Sequence, residues 1–224
     1  MHLIESASEL TTGITDALLA VECVAIVAWL LRSPATDRWR TMLWSGAFSL
    51  LGLASLLGAL AHSLTMPPSV RAALWKPLYL CLGIVVALFV VGALADWRGQ
   101  KLGRRLVPWA VAVGALFFAA TQLGSGAFIL FVLYEGLAMS AALVVYSMLA
   151  ATRRLQGAAL IALAVLLNLV AAGVQASSLS VHLLIPFDHN GLFHLVQMLS
   201  LATLAWGLRL GLQTHPDTES MNPH

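Results

Sequence analysis

The chain has 224 residues, of which 60% are hydrophobic and 10% charged, where soluble domains carry about 25% charged residues. That composition excludes a soluble domain, a disordered chain, a coiled coil and a nucleic-acid binder, and a net charge of +2 supplies no basic surface to argue otherwise. Cys23 and Cys81 each lie inside an apolar run, so they define no disulfide framework. What is left is an all-α integral membrane protein.

A helix crosses the hydrocarbon core with roughly 20 apolar residues, since each residue advances about 1.5 Å. Seven stretches reach that length, at about 12–31, 41–64, 72–95, 106–123, 126–150, 155–176 and 190–212. Gly124-Ser125-Gly126 reads as a tight turn between the fourth and fifth. Pro34, Pro67-Pro68 and Pro186 fall between runs, whereas Pro77 and Pro108 are expected in first turns, where a missing N–H costs little. A single seven-helix domain over residues 1–212 accounts for the chain, followed by a flexible polar tail at 213–224.

Lysines and arginines set the expected orientation, because they accumulate in cytoplasmic segments. With the N-terminus outside, ten of the twelve fall on the cytoplasmic side, and only Arg71 and Lys76 fall outside. The tail is then cytoplasmic. Trp29, Trp39, Trp44, Trp97, Trp109 and Trp206 fall near inner span ends, as an interfacial belt requires, with Trp75 near the outer one. No basic leader precedes the first span, which is expected to be retained in a bacterial inner (plasma) membrane.

Polar groups inside spans carry the functional signal, since an ionisable side chain at mid-bilayer costs roughly 2.5–3.5 kcal/mol on insertion scales. Glu22, His62, Glu135 and His194 lie within spans, with Asp16, Trp75, Lys76, Tyr79, Tyr134, Asp188, His189, Asn190 and Gln197 around them. On this topology nearly all sit in the outer half, and the inner half is expected to hold almost nothing comparable. Asn190, His194 and Gln197 recur at i, i+4 and i+7, one stripe of the seventh helix that must face the bundle interior. His189 lies about 140° round a regular helix from His194, so the two meet at one point only if the chain before Asn190 is not yet helical. Asn168 and Gln175 on the sixth span read as interhelical hydrogen bonders.

Seven spans, a histidine closing the second, and Asp188-x-x-x-Leu192-Phe193-His194 opening the seventh resemble the superfamily of membrane hydrolases that includes alkaline ceramidases, adiponectin and progestin receptors and Per1 proteins. The resemblance implies a zinc ion held by one histidine at the end of span two and two at the start of span seven. His62 and His194 match two of those positions. Asn190 stands where the other histidine belongs, with His189 displaced by one; Gly58 replaces a serine four before His62, and no aspartate opens span three. On this resemblance the ligands are His62, His194 and a third from His189, Glu135 or Asp188, with Glu135 or Asp188 as the catalytic carboxylate that moves a proton from zinc-bound water. The substrate is then a membrane lipid or lipid-like amide or ester, with Asn190, Gln197, Lys76, Tyr79 and Glu22 as contact or structural groups. The expected site lies in the outer half between helices two, five and seven. Other classes fit the same residues: a non-catalytic receptor, a subunit of a larger membrane complex, or a haem carrier with His62 and His194 as axial ligands. The chain has no lysine in span seven for a retinal Schiff base.

Overall fold

The computed structural model describes residues 2–32, 37–124, 126–182 and 184–213. The expected tail thus lies outside the described residues apart from Gln213, which ends the last helix. Seven helices among the described residues are long and apolar enough to cross a membrane: α1 (Ala7–Arg32), α2 (Arg38–Ser63), α3 (Pro68–Arg98), α4 (Gln100–Thr121), α5 (Ala127–Ala151), α6 (Ala158–Gln175) and α7 (His189–Gln213). A two-stranded antiparallel ribbon, β1 (Val181–His182) with β2 (Pro186–Phe187), separates α6 from α7. No apolar periodicity announces such short strands.

The helices run alternately up and down. An isolated bridge between Leu3 and Leu64 brings the start of α1 to the end of α2. Thr12 on α1 donates to Asp188 at the start of α7, so these three ends share one face, called here the N-terminal face. Six helices close a ring by neighbour packing in the order α1, α2, α3, α5, α6, α7, and α4 lies outside it against α3. Lipid offers no hydrophobic drive between helices, so close approach must come from small residues. Gly83 of α3 and Gly114 of α4 touch backbone to backbone, and a Cβ added at Gly114 would lie 2.7 Å from the backbone nitrogen of Ile84. Gly157, with φ of +83°, backs onto the Gly207 carbonyl as α6 begins. Large apolar groups such as Val21, Val24, Leu133 and Leu137 are left on the outside of the ring, where hydrocarbon receives them.

Several expectations are corrected. Pro77 and Pro108 are not in first turns: α3 and α4 start earlier than their apolar cores, at Pro68 and Gln100, which places both prolines inside helices. Trp44 is not interfacial but 2% exposed within the bundle, edge-on to Phe89 and against Gly92. The half of the bundle away from the N-terminal face does hold buried charge. Arg40 Nε lies 2.8 Å from Asp96 Oδ1, the Tyr146 hydroxyl donates to Asp96 Oδ2, and Arg40 Nη1 donates to the Gly211 carbonyl. This network fastens α2, α3, α5 and α7 together around a carboxylate that is 1% exposed.

Candidate functional site

The ring lines an open cavity of about 730 Å³. On α2 it is lined from His62 to Trp44, eighteen positions that span about 27 Å at 1.5 Å per residue. It therefore runs nearly the thickness of a hydrocarbon core, about 30 Å. Its deep wall is apolar, with Phe48, Phe89, Met139, Leu201 and Leu204, and its polar groups gather towards the N-terminal face.

His194 is the best-held of those groups. Its Nδ1 stands 2.9 Å from the Thr15 hydroxyl oxygen, and that hydroxyl in turn reaches the carbonyls of Thr12 at 2.9 Å and Thr11 at 3.1 Å. If that hydroxyl directs its hydrogen at the helix backbone, its oxygen is free to accept from Nδ1–H. The lone pair of Nε2 then faces Asp16 Oδ1 at 3.3 Å, both side chains being buried. In that tautomer the two atoms are both acceptors, and a proton or cation placed between them would relieve their repulsion. Asp16 in turn fills the space beside Gly58, where an added Cβ would come within 2.6 Å of Oδ2. The absence of a side chain at position 58 is what admits the carboxylate.

The start of α7 explains the neighbouring residues. Asp188 Oδ1 accepts from the Gly191 backbone N–H and from the Thr12 hydroxyl, so this carboxylate caps the helix and ties α7 to α1. Because α7 is already helical at His189, the local unwinding that would swing His189 toward His194 is not present. His189 and Asn190 line the cavity near its N-terminal end. His62 also lines it, with Nδ1 2.8 Å from Glu9 Oε2 and its ring edge-on to Trp75, which packs in turn on Tyr79. Lys76 is exposed at the same end.

Further in, Asn168 Nδ2 donates to Glu135 Oε1 at 2.9 Å, as expected of an interhelical pair. Glu135 Oε2 is buried with no partner among the described residues, in a side chain that lines the cavity. Gln197 is buried and lines the cavity as well. Glu22 is half-buried on α1 and does not line it.

The sequence pattern thus brings His62, His189, His194, Asn190, Gln197, Glu135, Lys76 and Tyr79 to one cavity, leaves Glu22 outside it and gives Asp188 a capping role. Asp16 and Thr15, which hold His194, escaped any assigned role because their partner is some 180 residues away in sequence. The site is also larger than the expected space between α2, α5 and α7, with α1, α3 and α6 forming part of the wall.

The donors do not fit the three-ligand zinc site that the resemblance implies. Asp16 Oδ1 and His194 Nε2 have the separation of two ligands on one ion, for bonds of about 2.0–2.1 Å in a tetrahedron. No group of three His, Cys, Asp or Glu side chains placed to hold an ion occurs among the described residues. His62 Nδ1 is held by Glu9, and Asp188 Oδ1 by the helix cap and Thr12.

Fold and cavity together define a seven-helix membrane protein with an internal, mostly apolar chamber. Over residues 11–213 the chain matches, and belongs to, a family described as a family of unknown function (DUF6962). No curated protein and no solved structure matches it.

Proposed function

We propose that the protein takes a single-chain lipid into this cavity from the N-terminal face and hydrolyses an amide or ester bond at its head end. The cavity volume of about 730 Å³ falls in the range of small-molecule sites, roughly 300–1,000 Å³, and its length suits an extended alkyl chain. The observation that carries the reading is the Asp16–His194 pair, a carboxyl and an imidazole buried 3.3 Å apart at the polar end of an apolar cavity.

The chemistry needs no metal. The shared proton passes from the pair to the departing nitrogen or oxygen while water attacks the acyl carbon. The C–N or C–O bond breaks, the water proton replaces the one given away, and the products are a fatty acid and an amine or alcohol. Thr15 keeps the imidazole in the tautomer that presents Nε2. Asn190, one turn before His194 on the same stripe, is the donor for the carbonyl oxygen. Lys76 at the mouth suits an anionic head group. We place the N-terminal face outside because that puts ten of the twelve basic residues on the cytoplasmic side.

The test is fatty acid release from N-acyl and O-acyl lipids by protein purified in detergent micelles, followed by mass spectrometry. His194→Asn and Asp16→Asn are expected to lower the rate by about 10²-fold or more, the usual worth of a positioned acid–base group. Equal release from both variants and the parent protein would overturn the reading.

A further inference from the structure

Resting on that reading, we infer that the cavity contains a second polar subsite, formed by Glu135, Asn168 and Gln197, which selects acyl chains bearing a hydroxyl a few bonds beyond the scissile carbonyl. The three residues come from α5, α6 and α7 and lie at one level. Glu135 is eight positions into α5 and Gln197 eight into α7, each about 12 Å from the helix start, and Asn168 is seven positions, about 10 Å, from the end of α6. All three line the cavity.

Glu135 gives this collar its chemistry. One carboxyl oxygen is occupied by Asn168, while Oε2 is buried, unpartnered among the described residues and placed on the cavity wall. A plain hydrocarbon passing this level leaves that oxygen unsatisfied, which costs free energy that a hydroxyl would recover. A hydroxyl is both donor and acceptor. It donates to Glu135 Oε2 and accepts from the second N–H of Asn168 or from the Gln197 carboxamide. No ligand charge is required, in keeping with the apolar wall beneath.

The position of the hydroxyl follows from α7. Gln197 lies three residues deeper than His194, about 4.5 Å along the helix. An extended chain advances about 1.2 Å per backbone bond, so the subsite is three or four bonds beyond a carbonyl held at His194. A 4- or 5-hydroxyacyl chain meets that spacing.

The experiment compares two probes on the full chain in detergent micelles, an N-(5-hydroxyhexadecanoyl) amide and its N-hexadecanoyl counterpart with the same amine. Binding is read from tryptophan emission, since Trp44 and Trp75 line the cavity, and hydrolysis from fatty acid release. The parent protein is expected to bind the hydroxylated probe about tenfold more tightly. Glu135→Leu is expected to erase the preference, and Asn168→Leu to reduce it. Equal affinity of the parent protein for both probes overturns the subsite, and needs no variant to fold. If both probes are cleaved equally in a His194-dependent way, the hydrolase reading stands and the subsite falls. A preference for the hydroxylated probe without cleavage leaves the subsite standing and removes the hydrolase reading. Binding of neither probe overturns both.

Discussion

The carboxylate of Asp16 occupies the space that a side chain on Gly58 would need: a Cβ at position 58 would stand 2.6 Å from Asp16 Oδ2. Two helices therefore meet at a point where one contributes a buried acid and the other contributes nothing. The resemblance to membrane hydrolases placed a serine at that position. Here glycine stands at that position, and the space left beside it holds the acid that reaches His194.

Gly58→Ala is accordingly expected to push the Asp16 carboxylate away from His194 rather than to open the bundle, since the clash is with the end of a side chain. Turnover should fall about tenfold or more with lipid binding retained, and Gly58→Ser should behave alike. Parallel measurement of release and of binding checks this, and full turnover in either variant would contradict it.

Thr15→Val removes the hydroxyl that fixes Nδ1 of His194 while nearly preserving side-chain shape. The ring then loses its preferred tautomer and orientation. A drop in the rate constant of about tenfold is expected, with little change in apparent lipid affinity. Thr15→Ser, which keeps the hydroxyl, should restore most of the rate.

The seven spans were legible because a membrane demands long apolar runs, and the inward stripe of Asn190, His194 and Gln197 was legible because helical spacing puts them on one face. The partners of those residues were not. Asp16 and Thr15 reach His194 only through the packing of α1 on α7, which no local pattern encodes. Arg40 and Asp96 fall one position outside the apolar runs at 41–64 and 72–95. α2 and α3 continue past those runs to Arg38 and Arg98, and so carry both groups into the bundle.

That network supports the fold at a distance from the chemistry. Removing one member of a buried pair costs about 3–5 kcal/mol, so Asp96→Asn or Arg40→Met should lower the thermal unfolding midpoint in micelles sharply. Tyr146→Phe, which deletes one hydrogen bond to a carboxylate, should cost less, about 1.5–3 kcal/mol. Turnover per folded molecule should be unchanged in the Tyr146 variant. A large loss of rate without loss of stability would tie this network to the reaction instead.

A metal-independent reaction makes a further prediction. Elemental analysis of protein purified without added metal should show no stoichiometric zinc, and treatment with a strong chelator should leave the rate intact. Stoichiometric zinc that is lost from both His62→Ala and His194→Ala would reinstate the three-ligand site.

Photolabelling tests most directly whether a lipid chain enters the bundle. A fatty amide carrying a diazirine near its methyl end, bound and irradiated in micelles, is expected to label the deep wall at Phe89, Met139 and Leu204, with the plain amide competing it away. Labelling confined to the outward-facing Val21, Val24 and Leu133, which are 67%, 70% and 66% exposed, would contradict the account.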